Sequence, residues 1–379
     1  MKYYLIAGEP SGDLHGANLM KGLRKADPAA EFRFWGGDRM SAAAGGAAPV
    51  HHYRETSFFG FLNVLRHLGT IRRQFAECHR DILAWQPDAV ILIDYPGFNL
   101  KIARWAHARG LSVHYYIAPK VWAWKERRVK QLRRFVDRLY VIFPFECDYF
   151  PRFGIQPVFE GNPLVDAIEE RRPALPAPDA FRARYGLDER PVIALLAGSR
   201  ITEIRANLQP MAAVARRMPE WQFVVAGVSW LDRSLYEPIL AGTPVRLVED
   251  ATYELLNVAG AAVVASGTAT LETALLRTPE VVFYRIPWLY MKLRPLLLKV
   301  PFVSLVNLIL GREAVRELIL SNPTPELLER ELRAILPGGA DRGRMLRDFD
   351  ELAVLVGRAG ASERFARSMA EYLKKEANR

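Results

Sequence analysis

The sequence is poor in the residues that would announce several common chemistries. Its 379 residues hold two cysteines, Cys78 and Cys147. That is too few for a disulfide framework and has no metal-ligand spacing, and it suits a reducing compartment. No stretch reaches the roughly 18 apolar residues of a spanning helix. The nearest, Val281 to Gly311, is broken by Arg285, Lys292, Arg294 and Lys299 and by three prolines. The apolar opening, Met1 to Gly8, is too short for a secretory signal. The first strand-to-helix turn, Gly8-Glu9-Pro10-Ser11-Gly12-Asp13, lacks the GxGxxG and P-loop spacings. A Gly-x-Ser-x-Gly elbow is missing. All 7 histidines fall before residue 115, with no pair at HxxxH spacing. Asp348 and Asp350 stand at i and i+2 of a predicted helix, on different faces. No metal site is expected.

What is present is ordinary globular composition, 50% hydrophobic and 25% charged, which excludes disorder and coiled coil as descriptions of the whole chain. The 52 Lys+Arg against 42 Asp+Glu leave +10 and point toward anionic partners: nucleic acid, phosphorylated ligands or an acidic membrane face. Short apolar runs alternate with helix-length amphipathic ones. Tyr3–Ala7, Phe32–Trp35, Ala89–Ile93, Ser112–Ile117 and Arg138–Ile142 read as strands of a parallel sheet. Pro163, Pro173, Pro176 and Pro178 then read as a linker. The rhythm restarts with strands at Pro191–Leu196, Gln222–Ala226, Val245–Val248, Ala261–Ala265 and Val281–Tyr284. The expectation is an α/β protein of two Rossmann-like lobes, 1–165 and 166–345. C-terminal helices over 346–379 would pack back on the first lobe or on a partner.

Chemistry-bearing residues sit where strands end. Ser11, Gly12 and Asp13 follow the first strand; either the turn receives a polar ligand on free helix amides or Asp13 is a helix cap. Asp94 ends a buried strand on a Pro-Gly loop, the place of a general base or of a loop Asp bonding backbone amides. Ser199 and Arg200 open the first helix of the second lobe, where a cation is dipole-unfavourable unless an anion joins it. Ser266-Gly267-Thr268 form a hydroxyl-rich turn before a helix, an anion cradle. Glu272 is placed to accept from ribose hydroxyls or to close a capping box. Phe58, Phe59, Phe61, Leu62 and Leu65 make a stretch apolar nearly all round, a core helix or a lipid-contact surface. Lys120–Arg138 carries eight cations against Glu126 and Asp137, with Trp122 and Trp124 at its start, fit for phosphates or acidic headgroups.

Together these segments resemble one family. Gly8-Glu9-x-Ser11-Gly12-Asp13, Ile93-Asp94-Tyr95-Pro96-Gly97-Phe98-Asn99, Val121-Trp122-Ala123-Trp124 and Gly198-Ser199-Arg200-x-x-Glu203 resemble motifs of bacterial lipid-A-disaccharide synthases. So do Ser266-Gly267-Thr268-Ala269-Thr270-Leu271-Glu272 and Ser304-Leu305-x-Asn307-Leu308-x-x-Gly311-Arg312-Glu313. The resemblance implies a GT-B glycosyltransferase, two Rossmann-like lobes with a cleft between them, inverting and independent of metals or other cofactors. It implies UDP-2,3-diacylglucosamine as donor and 2,3-diacylglucosamine 1-phosphate (lipid X) as acceptor. It also implies a cytoplasmic, peripheral place on the inner face of the inner membrane and, in some members, a homodimer. By motif, Asp94 matches the general base. Ser199, Arg200, Ser266, Gly267, Thr268 and Glu272 match the nucleotide lobe, and Asn307 and Arg312 match the residues beside the diphosphate. Ser11, Gly12 and Asp13 match a turn lining the cleft, and Phe58–Leu68 matches a lipid-docking region. Lys120 departs from the pattern, since many members carry a small residue there. The alternatives are another GT-B sugar-nucleotide enzyme, of peptidoglycan-transferase or UDP-GlcNAc 2-epimerase type, or a basic nucleic-acid-binding protein, although no nucleic-acid motif is present.

Overall fold

The structure is a computed structural model and describes all residues except 56–67, 289–290, 292–299 and 378–379. It divides into two compact units, Met1–Asp166 with Val356–Arg379, and Ala167–Leu355.

The first unit is a seven-stranded sheet of β1 (Lys2–Ala7), β2 (Glu31–Gly36), β3 (His51–His52), β4 (Ala89–Ile93), β5 (Ser112–Tyr116), β6 (Arg138–Val141) and β7 (Val158–Phe159), in the order β3-β2-β1-β4-β5-β6-β7. Every pairing is parallel. Side chains alternate between two cores, as strand geometry requires. Tyr4, Ile6, Val90, Leu92 and Tyr115 meet Ile82 of the helix Leu68–Trp85, Ile102 of the helix Pro96–His107 and Leu132 of the helix Val129–Phe135. Tyr3, Leu5, Ile91, Ile93 and Tyr116 meet Leu19 and Met20 of the helix Pro10–Ala26 and Phe365 and Met369 of the helix Ala361–Ala377. Both faces are covered, which explains the unbroken apolar run in β4. Close packing of those two helices depends on Gly22, whose added Cβ would lie 2.8 Å from the Cβ of Ala366.

The second unit has six parallel strands, β8 (Val192–Leu196), β9 (Gln222–Gly227), β10 (Arg246–Glu249), β11 (Ala259–Ala265), β12 (Glu280–Arg285) and β13 (Arg316–Leu320), in the order β10-β9-β8-β11-β12-β13. The proline-rich stretch is not an extended linker. Pro163 opens a helix to Arg171 and Pro178 one to Tyr185. Proline at a first helical position loses no hydrogen bond and has its φ pre-set.

Candidate active site

In each sheet the strand order reverses beside the first strand, between β1 and β4 and between β8 and β11. Loops leaving the carboxyl ends of those strands are where open α/β sheets bind ligands. In the first unit Ser11, Gly12 and Asp13 follow β1 and Asp94 follows β4; in the second Ser199 and Arg200 follow β8 and Ser266, Gly267 and Thr268 follow β11.

In the first unit the β4 loop carries Asp94. Asp94 and Tyr95 both have left-handed backbones, φ 42° and 47°, each a cost of about 1–3 kcal/mol that surroundings must hold in place. They do so through the backbone. Asp94 N donates to Tyr116 O at 3.1 Å, while Asp94 O accepts from Tyr115 Oη at 2.6 Å and from Asn99 Nδ2 at 2.8 Å. Across the reversal point Gly8 lies under the Tyr95 ring, and a Cβ there would sit 2.5 Å from Tyr95 Cγ. The Asp94 carboxyl itself accepts from the Tyr95 amide. Burial raises its pKa, Lys120 lowers it, Glu9 raises it and the Tyr95 amide lowers it; the result is about 6.

Ser11 is exposed in the first turn of the helix Pro10–Ala26, and Gly12 is buried beneath it. Asp13 is not that helix's cap, since Glu9 holds the N-cap position. Its carboxylate, 2% exposed, accepts from the amides of Gly37 (2.7 Å), Arg39 (3.1 Å) and Met40 (3.1 Å). Asp13 thus caps the next helix, Asp38–Ala43, and ties the β2 loop to the β1 loop.

In the second unit the β8 loop turns at Gly198, φ 111°, where a Cβ would meet the Glu203 carboxylate at 2.6 Å. Glu203 accepts from Ser199 N (3.3 Å) and pairs with Arg200 (3.2 Å). Ser199 and Arg200 remain exposed at the start of the helix Ile201–Ala213. The β11 loop turns at Gly267, φ 153°, which is the N-cap of the helix Thr268–Leu275 and has open space around it. Ser266 Oγ donates to Val303 O at 3.1 Å. No capping box forms: Glu272 accepts from Tyr253 Oη at 2.7 Å, and Arg171 lies 4.9 Å over the Tyr253 ring. Burial raises the Glu272 carboxyl, against the Tyr253 hydroxyl and the Arg171 charge.

Asn307 and Arg312 are less available than their motif implies. Asn307 is fully buried. Its Nδ2 donates to Val315 O (2.8 Å) and Glu317 Oε1 (3.0 Å), and its Oδ1 accepts from Ala314 N (2.8 Å) and Val315 N (2.9 Å). It shapes the loop that carries Arg312 and leaves nothing for a ligand. Arg312 pairs with Asp348 at 2.8 Å and with Glu351. Phe58, Phe59, Phe61, Leu62 and Leu65 lie outside the described residues. Among those described, no helix is long and apolar enough to cross a membrane, and no group of three or more His, Cys, Asp and Glu is placed to hold a metal.

Sequence reasoning missed Glu146. It is fully buried after β6. Its carboxylate accepts from Trp122 Nε1 (3.0 Å) and from the amides of Ile142 (3.2 Å) and Phe143 (3.0 Å). Burial holds it up at about 7. The available signal was a lone acid in the apolar run Val141-Ile142-Phe143-Pro144-Phe145-Glu146.

A family model described as lipid-A-disaccharide synthetase matches residues 3–353. The chain is 39% identical to the lipid-A-disaccharide synthase of Myxococcus xanthus over 97% of each chain. It is 36% identical to that of Geobacter sulfurreducens, over 98% of this chain and 97% of the relative. Among solved structures, the UDP-GlcNAc 2-epimerase of Neisseria meningitidis bound to UDP-GlcNAc superposes with a TM-score of 0.65 at 12% identity, over 98% of this chain and 100% of that one. The S. aureus MnaA–UDP structure does so with 0.68 at 14%, over 98% and 97%. At those identities the likeness is one of fold.

Proposed function

The chain belongs to the lipid-A-disaccharide synthetase family, and from that membership we propose roles for its strand-end residues. The protein is a GT-B glycosyltransferase of lipid A biosynthesis. It condenses UDP-2,3-diacylglucosamine with 2,3-diacylglucosamine 1-phosphate, releasing UDP and the β-1,6-linked disaccharide 1-phosphate with inversion. Inversion in one displacement needs a base for the acceptor hydroxyl and positive potential for the leaving diphosphate.

Asp94 is the base. One observation carries this: a carboxyl on a rigid left-handed turn at the end of a central strand, raised by burial to about 6. It is charged at neutral pH yet more basic than an ordinary aspartate, as efficient proton acceptance favours. The departing diphosphate is met by the amides that open the helices after Gly267 and Arg200, by the Ser266 and Thr268 turn, and by Arg200. These groups support a metal-independent reaction, whose rate EDTA should leave unchanged. Glu272, held by the Tyr253 hydroxyl, accepts from the ribose hydroxyls. Asn307 and Asp13 act as scaffold.

The partner surface is an acidic membrane face. Lys125 and Arg128 lie 4.2 and 5.8 Å over the half-exposed Trp124 ring, and Arg127, Lys130, Arg133 and Arg134 are close in sequence. In the second unit many arginines are already ion-paired, as Arg217 is with Glu326 and Glu329. Cations beside amphipathic aromatics suit headgroups. Sedimentation with acidic vesicles, but not neutral ones, supports this; retention on DNA instead points to nucleic acid.

The deciding experiment supplies both acylated sugars in detergent and looks for disaccharide and UDP. Asp94→Asn should keep UDP affinity and lose turnover by about 10²–10⁴-fold. Undiminished turnover removes Asp94 as base, and epimerised UDP-sugar without disaccharide would favour the epimerase reading.

A further inference from the structure

The left-handed turn at Asp94 is pinned by one buried amide. Asn99 stands in the first turn of the helix Pro96–His107 and is fully buried. Its Nδ2 donates to Asp94 O at 2.8 Å, to Ile93 O at 3.2 Å and, at a longer 3.4 Å, to Ile6 O. Ile6 belongs to β1 and Ile93 to β4, so one amide group draws together carbonyls of the two strands that flank the reversal point. Its Oδ1 is buried and has no partner among the described residues. A buried acceptor without a donor is costly, and an apolar side chain would avoid that cost. The group is therefore retained for what its Nδ2 does. A second donor reaches the same carbonyl: Tyr115 of β5, also fully buried, gives its hydroxyl to Asp94 O at 2.6 Å. With Asp94 N bonded to Tyr116 O at 3.1 Å, the Asp94 backbone is bolted at both its nitrogen and its carbonyl oxygen. Those anchors fix the peptide planes on either side of the Cα, and the planes fix the direction in which the side chain leaves. At φ 42° this backbone lies in a sparsely populated region, and without such anchors it would relax toward an ordinary one.

We propose that Asn99 is a positioning residue for the Asp94 base: its amide, aided by the Tyr115 hydroxyl, aims the carboxyl by holding the carbonyl of the same residue. This rests on Asp94 being the base. Loss of the amide should then harm the chemical step more than it harms substrate binding.

The test measures kcat and KM for disaccharide formation, UDP affinity by calorimetry and thermal unfolding. It compares the native protein with Asn99→Leu, Tyr115→Phe, Ile82→Ala and Asp94→Asn. Leu has the branching of Asn and removes the donor together with the unpartnered oxygen. In Asn99→Leu kcat should fall by about ten- to a hundredfold, as for a reacting group displaced by up to about 1 Å, with KM and UDP affinity close to native. Tyr115→Phe loses only an oxygen and leaves Asn99 on the carbonyl; its kcat should fall by about three- to tenfold, the range of one neutral hydrogen bond. Ile82 packs in the core beneath β4 and makes none of these bonds, so Ile82→Ala should lower Tm and keep native kcat. Native kcat in folded Asn99→Leu overturns the proposal; if that variant does not fold, native kcat in Tyr115→Phe does so. A rise in KM with kcat unchanged also overturns it, since Asn99 would then serve binding. So does a kcat loss in Ile82→Ala equal to that in Asn99→Leu, which would reflect general softening of the unit. Active Asp94→Asn defeats the base assignment itself. Inactive Asp94→Asn with native kcat in the Asn99 and Tyr115 variants defeats the Asn99 proposal alone.

Discussion

Gly8→Ala is the sharpest test of how the site is built, because the geometry sets its size in advance. The added Cβ would stand 2.5 Å from Tyr95 Cγ and Cδ1 and 2.8 Å from Cε1, where ordinary contact begins at 3.4 Å. The ring must therefore retreat by roughly 1 Å. It cannot swing away as a flexible tip would, since the near atoms are at its root and the ring stacks on Phe98 with centroids 5.7 Å apart. Displacement passes to a backbone already left-handed at both Asp94 and Tyr95, with little torsional slack. Overpacking of this kind costs about 1–3 kcal/mol, and a 1 Å misplacement of a reacting group costs on the order of 10²-fold in rate. The assay is kcat for disaccharide formation beside thermal unfolding and UDP calorimetry. Expected are a modest fall in Tm, unchanged UDP affinity and a fall in kcat of about a hundredfold. Gly97→Ala, one helix position past Pro96 and facing open space, should keep its Tm. A folded Gly8→Ala protein with native kcat would refute the claim that Tyr95 sets the position of Asp94.

Other perturbations separate scaffold from chemistry. Asp13→Ala strands three amides at the start of the helix Asp38–Ala43; it should cost about 2 kcal/mol, seen as a Tm lower by about 4–8 °C, with UDP affinity intact. Arg200→Ala removes one charge-assisted contact and should weaken UDP binding by about tenfold or more in calorimetry; equal affinity would remove Arg200 from the cradle. Glu280 is fully buried with both carboxylate oxygens unpartnered, and burial raises its pKa well above the usual range. The native state therefore keeps a proton that the unfolded chain releases above about pH 4.3, so this group makes stability fall as pH rises, by about 1.4 kcal/mol per unit. Glu280→Met should unfold at a higher Tm than the native protein by a margin that widens from pH 5 to pH 8, and a constant margin would contradict this.

What could be read from the sequence follows from where each segment sits. Central strands such as β4 and β8 are buried on both faces, and their unbroken aliphatic runs reveal them. The strands missed, His51–His52, Val158–Phe159 and Arg316–Leu320, are all at sheet edges. There half the surface is solvated and the apolar pattern fades. The helices missed at Pro163 and Pro178 hid behind a residue that breaks helix interiors but begins helices well. The same logic governs the site. Asp94, Arg200 and Ser266 could be placed at strand-end turns because a strand's end can be read from its apolar run. The duties of Asp13, Asn307 and Glu146 were not visible, because each carboxyl or amide is consumed by partners that come within reach only on folding: Asp13 by amides of the β2 loop, Glu146 by the Trp122 indole and two amides of its own loop, Asn307 by the backbone of residues 314–315 and by Glu317. A motif records that a residue belongs to the site. Whether it faces the substrate or holds up the residue that does is decided by which polar atoms remain unspent after the fold has closed, and for Asn307 none remain.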